Sequence, residues 1–199
     1  MRKPTFKDFL SEEDKTAEIQ KRCALFLEKS KGWPLYRGYG GRITALFSGS
    51  QEVPIRKDRR PRDSSQFVHG LMDAYFTRKF GVKVRSEGLF ATGNFQTAKK
   101  YGTPYYTFPV GNFKFVWGTY QGDPVEDTLH WTRKIADMMA VRSEKESDNV
   151  TDSVLNEIDW HTDDFVTAIK SGAEIAILAD SAIIVPVGKK TYGEIIGRV

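Results

Sequence analysis

Cysteine is almost missing from this chain: Cys23 is the one thiol in 199 residues. A single thiol forms no internal disulfide and no multi-cysteine metal site. A reducing compartment is the natural setting for such a composition. Cys23 falls on the apolar face of an expected helix, so it reads as a core residue. Long apolar runs are missing as well. No stretch approaches the ~20 residues that a membrane-spanning helix needs. The opening Met1-Arg2-Lys3-Pro4-Thr5-Phe6 holds no apolar core of signal-peptide length. The expectation is a cytoplasmic protein with no membrane partner. The 3 histidines, His69, His130 and His161, show no metal-ligand spacing, so no metal is expected. No nucleophile-elbow sequence is present. Gly38-Tyr39-Gly40-Gly41 lacks the glycine spacing of a dinucleotide fingerprint, and no helix follows it promptly. Gly188-Lys189-Lys190-Thr191 has the look of a phosphate-loop ending, but Ile183 stands where the required upstream glycine would be.

What is present suits one packed core. Hydrophobic residues make up 40% and charged residues 28%, so disorder is not expected. The length fits a single domain over residues 1–199 better than two. A formal charge of +4 suits an anionic ligand or a nucleic acid and requires neither. Aromatic residues are plentiful; they fill cores and also stack on planar ligands.

Ile19, Cys23, Phe26 and Leu27 recur at helical spacing, which predicts a helix from Glu12 to Ser30, capped by Ser11 and ended by Gly32. Trp33 to Tyr36 reads as a short strand delivering Arg37. Gly38 to Arg62 is a long, Gly-rich and basic loop, including Arg56-Lys57-Asp58-Arg59-Arg60-Pro61-Arg62. Asp63 or Ser64 is expected to cap a second helix, and Gly81 to stop it. Strands are expected over Gly88–Thr92, Tyr105–Val110 and Lys114–Trp117, with a short helix from Asn94 to Lys100. Pro124 suits the first turn of a third helix reaching Val141. Ser143 to Asn149 reads as a charged surface loop. A short helix from Asp163 to Lys170, capped by Thr162, leads to two final strands, Glu174–Leu178 and Ala182–Val187. Strands and helices do not alternate regularly, so the fold class is α+β rather than a doubly wound parallel sheet.

Three segments carry candidate chemistry. In Leu35-Tyr36-Arg37-Gly38 a guanidinium sits at a strand end, suited to forking onto a phosphate, and Gly38 permits close backbone approach. Gly88-Leu89-Phe90-Ala91-Thr92-Gly93 delivers the Thr92 hydroxyl at another strand end. Phe95 or Tyr101, just beyond it, could stack on a flat ring. In Ser171-Gly172-Ala173-Glu174-Ile175-Ala176-Ile177 an acid opens an apolar strand. A carboxylate there costs free energy unless it is paired or used.

Arg, small hydroxyl residue and Glu on successive strands, in this order, resemble the mono-ADP-ribosyltransferases of the arginine–serine–glutamate class. The likeness runs from about Trp33 to Val187 and is nearest to the small transferases carried by bacteriophages. It implies a split pair of β-sheets with NAD, as substrate, in the cleft between them, preceded by an N-terminal helix. It implies that Arg37 holds NAD phosphate or ribose, with Gly38, Thr92, Phe95 and Tyr101 lining the NAD site. Catalysis falls to Glu174, Arg37 and Thr92, and ADP-ribose moves to a protein or nucleic-acid target with release of nicotinamide. An NAD glycohydrolase, and a non-catalytic binding module or virion protein, are the alternatives. Two departures stand out. Ala91 and Gly93 flank Thr92 where the family usually has hydroxyl residues. Gly172 stands two residues before Glu174, where arginine-modifying members carry Glu or Gln. The basic loop and Trp160-His161-Thr162-Asp163-Asp164 are candidates for contacts with the target.

Overall fold

The computed structural model describes residues 15–41, 49–60, 65–126, 128–139, 147–188 and 190–197. Residues 15–22 are helical, and after a break at Cys23 the chain continues as α1 (Ala24–Ser30). The expected start of this helix at Glu12 lies outside the described residues. β1 (Tyr36–Tyr39) follows, so Arg37 lies inside the first strand rather than after its end. β2 (Gln51–Pro54) arises within what reads as loop. Its composition hides it: Gln51 and Glu52 are polar and Pro54 is a poor strand former. An edge position against one neighbour tolerates that proline.

α2 (Gln66–Phe80) is capped by Ser65, whose Oγ accepts the Val68 N–H at 3.1 Å, and it ends at Gly81 as expected. The expected caps Asp63 and Ser64 lie outside the described residues. A one-turn helix, α3 (Val84–Glu87), then leads into β3 (Leu89–Thr92). α4 (Phe95–Lys100) is capped by Asn94, whose Oδ1 accepts from Gln96 and Thr97. β4 (Thr103–Pro109) and β5 (Lys114–Tyr120) follow. Asp123–Pro124 forms β6, not the start of a helix, because its backbone pairs with Thr119 and Tyr120. α5 (Thr128–Met139) begins only afterwards. α6 (Ser147–Leu155) starts where a charged loop is expected. Its apolar residues Val150, Val154 and Leu155 are buried at helical spacing. β7 (Asp159–His161), α7 (Phe165–Ser171), β8 (Glu174–Leu178), β9 (Ser181–Pro186) and α8 (Tyr192–Ile195) complete the described chain.

The fold is α+β, with one nine-stranded sheet of order β2-β9-β4-β1-β3-β8-β5-β6 and β7 also paired to β5. Every pairing is antiparallel. The middle of this sheet is narrow. β1 and β3 meet at one residue pair, Tyr36 with Thr92, whereas β1 runs four pairs along β4 and β3 four pairs along β8. β5 is shared: Lys114–Val116 pair with β8, and Trp117–Thr119 with β7.

Alternation along the strands splits the core between the two faces. Leu89, Ala91, Ile175, Ile177, Phe115, Phe108 and Ile183 face the N-terminal helical segment and α7. Cys23 is buried there as a free thiol, with its Sγ 3.6 Å from the Phe108 carbonyl oxygen. Burial pushes that thiol up to about 12, so it stays protonated and unreactive at neutral pH. Val116, Ala176 and Leu178, with Phe90 beside them, face α2, α5 and α6. On that second face the β1 side carries a smaller cluster of Tyr39, Tyr105 and Ile184. No helix among the described residues is long and apolar enough to cross a membrane.

Candidate functional site at the centre of the sheet

The three residues singled out by strand order converge at the narrow middle of the sheet. Thr92, the last residue of β3, lies opposite Glu174, the first of β8. On its other side Thr92 lies opposite Tyr36, the neighbour of Arg37. Three adjacent strands, β1, β3 and β8, thus bring residues far apart in sequence to one spot.

Arg37 explains how the sheet holds together there. Continuing the β1–β3 ladder would need backbone pairing beyond Tyr36 and Thr92, and the register stops at that pair. Instead Nη1 of Arg37 donates a short hydrogen bond to the Phe90 carbonyl oxygen. The guanidinium therefore takes the place of a ladder bond and satisfies an oxygen left open by the parting strands. Its Cζ lies 5.2 Å from the centre of the Tyr39 ring. Its Nε is buried without a hydrogen-bond partner.

Gly38 has a different duty from the one its position suggests. A Cβ there would lie 2.1 Å from the Ala98 carbonyl oxygen, at the C-terminal end of α4. The close approach that requires glycine is between β1 and α4.

The Thr92 hydroxyl is also occupied within the protein. It donates to the Gly172 carbonyl oxygen at 2.9 Å and accepts the Asn94 N–H at 3.1 Å. Thr92 thereby ties the end of β3 to the turn that launches Glu174, which makes it a positioning residue. Gly172 caps the end of α7 with φ 79°, a left-handed conformation that side chains adopt at a cost. Glu174 is half-buried, and its N–H donates to the Val125 carbonyl oxygen at 2.8 Å. The segment after β6 therefore borders the start of β8.

The two candidate stacking rings differ. Phe95 packs edge-on against Tyr36, with ring centres 5.7 Å apart, and Tyr36 itself packs against the first of the two cores. Tyr101 is 53% exposed. Tyr36 is a site residue that strand order alone does not flag; its pairing with Thr92 was the missing information.

The basic loop divides. Arg56 is exposed and pairs with Asp58 at 3.3 Å, Arg60 is exposed, and Arg62 lies outside the described residues. Arg59 is half-buried and turns inward. Its Nη1 donates to the Gly88 carbonyl oxygen at 2.8 Å and its N–H to the Ser86 carbonyl oxygen at 3.0 Å. Burial, then the charges of Arg37 and Arg85, pull the Arg59 guanidinium down to about 10, opposed by Glu174. Arg59 thus belongs with the central residues rather than with an outlying target surface.

The segment 160–164 serves the fold. Trp160 is buried, donates from Nε1 to the Leu155 carbonyl oxygen at 2.9 Å and packs edge-on against Phe76 at 4.8 Å. Asp164, rather than Thr162, caps α7 by accepting the Thr167 N–H at 3.1 Å.

A buried polar network beneath the site is the largest feature that sequence reasoning misses. Asp73 of α2 accepts the N–H groups of Arg85 at 2.7 Å and Ser86 at 3.2 Å, and also the Ser86 hydroxyl. His69, one helical turn earlier, places Nε2 3.1 Å from Ser86 Oγ. Burial depresses His69, with Asp73 acting in the opposite direction. The one available signal was the polar pair His69 and Asp73 at i, i+4 on a helix whose face is otherwise apolar. No grouping of His, Cys, Asp and Glu able to hold a metal occurs among the described residues. No family model, curated protein or solved structure matches this chain.

Proposed function

We propose that this protein is an NAD-dependent ADP-ribosyltransferase that releases nicotinamide and moves ADP-ribose to an acceptor. The observation that carries the reading is the convergence of Arg37, Thr92 and Glu174 on three adjacent strands, with Thr92 paired directly to Glu174. A sheet of another strand order would have scattered the three.

The chemistry follows from the groups present. The bond between nicotinamide nitrogen and the ribose carbon breaks with its electron pair going to the nitrogen. Nicotinamide leaves neutral, so no general acid is required. Positive charge develops on the sugar, as in glycoside hydrolysis. Glu174, held by the β8 backbone and the turn tied to Thr92, supplies a fixed negative charge beside that cation. Arg37 supplies a cationic fork for the dinucleotide phosphates. The acceptor's nucleophile then bonds to the sugar carbon and gives up its proton.

Gly172 shapes the choice of acceptor. A side chain at this position would need the left-handed backbone at φ 79° and would meet the Asn94 Cβ at 3.3 Å. No carboxylate or amide can therefore reach out from this position to orient an incoming guanidinium. We infer an acceptor other than arginine, with water as the competing acceptor in a glycohydrolase. Nicotinamide release without a labelled macromolecule would establish the hydrolytic reading.

The test is Glu174→Gln, which keeps size and one acceptor oxygen but removes the charge. Loss of one such electrostatic contact lowers turnover by about 100- to 1,000-fold, while NAD binding and the melting temperature stay nearly unchanged. Nicotinamide release and transfer of label from NAD to a cell lysate are measured beside circular dichroism and NAD titration. Turnover near wild type in a folded Glu174→Gln protein overturns the proposal.

A further inference from the structure

A groove of about 730 Å³ opens beside the β5–β6 hairpin and the first turns of α5. Its walls are apolar. Tyr120 and Pro124 line it half-buried, and Val125 and Trp131 line it from the second core. The Tyr120 and Trp131 rings pack with centres 5.0 Å apart, so the lining is held by that core. The hairpin is fixed as well. Its two-residue turn, Gln121-Gly122, has φ 52° and 89°, the paired positive angles of a type I′ turn, whose twist matches that of the strands. Beyond it the Val125 N–H donates to the Gly118 carbonyl oxygen at 2.9 Å, and the Val125 carbonyl oxygen accepts the Glu174 N–H at 2.8 Å. Val125 therefore ties the groove to the start of β8. By strand alternation Glu174 shares the sheet face of Ala176 and Leu178, and those two residues pack in one core with Val125 and Trp131.

The charge on this groove is opposite in sign to that of the chain. The protein carries +4 overall, whereas Asp123 and Glu126 stand exposed on the groove's lining. Among the described residues neither of these two carboxylates takes part in an ion pair. Lys134, also on the lining, is already answered: its Nζ lies 2.6 Å from Glu157 Oε2 and 5.2 Å from the centre of the Trp131 ring. Apolar walls edged by carboxylates fit a group with an aliphatic stem and a cationic head. Such a group buries its methylenes against the rings and leaves its ammonium at the carboxylates. A phosphate-bearing chain meets the same carboxylates as like charges, which counts against it.

We propose that this groove docks a lysine-bearing, apolar segment of the acceptor, which makes the acceptor a protein rather than a nucleic acid. The inference rests on the transferase reading for the purpose of docking; the preference for a basic segment follows from the groove itself. The groove holds the acceptor by that segment on the sheet face where Glu174 lies.

The probe is a fluorescein-labelled peptide of alternating lysine and leucine. It is compared with the same peptide carrying glutamate in place of lysine, and a single-stranded oligonucleotide serves as competitor. Fluorescence anisotropy should show the lysine peptide binding at least about tenfold tighter than the glutamate peptide. Glu126→Lys should weaken that binding by about tenfold or more. Glu28→Lys, at an exposed acid of α1, changes the net charge by the same amount and should leave binding unchanged. A measurement without variants guards against misfolding. Carboxyl labelling with a carbodiimide and an amine, read by mass spectrometry, should modify Asp123 and Glu126 less when the lysine peptide is present, with Glu28 unaffected. Equal binding of the two peptides, equal losses at Glu28 and Glu126, no protection of Asp123 and Glu126, or displacement of the peptide by the oligonucleotide overturns the proposal. Binding of the lysine peptide in a protein that never releases nicotinamide from NAD would remove the transferase reading and leave the groove standing as a docking site. Nicotinamide release and labelling of lysate proteins by Glu126→Lys at the wild-type rate would do the reverse.

Discussion

The two faces of the β3–β8–β5 side of the sheet are built to different rules. The face under the N-terminal helical segment and α7 is filled by interlocking rings and aliphatic chains. Phe26 alone packs against Phe108, Phe113 and Phe165, with ring centres 5.7, 6.3 and 5.9 Å away. The opposite face, under α2, is apolar only in part. It accommodates His69, Asp73 and Ser86, and three arginines gather around Phe90. Close-packed apolar groups stabilise without regard to what they touch, whereas a buried polar network stabilises only when each member is satisfied. The first face therefore serves stability. The second gives up some stability for the fixed placement of charge, which is what the proposed chemistry at the sheet's centre requires.

Phe26→Ala should produce the largest loss of stability in this comparison, about 3–5 kcal/mol as expected for removing a buried ring. Urea unfolding measures it, and the folded fraction should bind NAD like wild type. A loss below 1 kcal/mol would mean that this face is not the close-packed one.

Asp73→Asn should cost less, about 1–3 kcal/mol for a network left partly unsatisfied. Unlike Phe26→Ala it should also weaken NAD binding in protein that remains folded, because α3 no longer holds the Ser86 carbonyl that fixes Arg59. Unchanged binding together with reduced stability would separate the network from the site and break the contrast between the faces.

The smallest effect is a pH dependence. Burial lowers the His69 pKa in the folded state, so on acidification the unfolded chain takes up the proton first. Its contribution to stability is complete above the ordinary histidine value and is lost as pH falls through that value towards the lower folded one. Comparing urea midpoints between pH 7.5 and pH 5, His69→Gln should show a shallower decline than wild type. Identical slopes would show that the imidazole is not held neutral by its surroundings.

Much of the chain could be read from periodicity and punctuation. α2 stops at Gly81, α4 starts at Asn94, α7 ends at Gly172 and β8 spans Glu174–Leu178, all as the local residues direct. These are decisions of short range: a left-handed glycine, a side-chain cap, an apolar run. β2, β6 and α3 could not be read in this way. Their own residues have weak preferences, and each exists because a partner outside it pairs with it or clamps it: distant β9 for β2, the preceding strand β5 across a tight turn for β6, and Asp73 for α3.

The candidate site divides along the same line. The sequence by itself set out Arg37, Thr92 and Glu174 in order on strands, and a family grammar attached roles to them. Only the tertiary structure decided that β1, β3 and β8 are neighbours, that the Thr92 hydroxyl is turned to Gly172, and that Gly38 is needed for α4. It alone drew Arg59 out of a solvated basic run and set it beside Arg85. Charge and hydroxyl groups are properties of residues and are visible in one dimension. Their effective chemistry depends on burial and on neighbours a few ångströms away, and those are fixed only when the sheet closes.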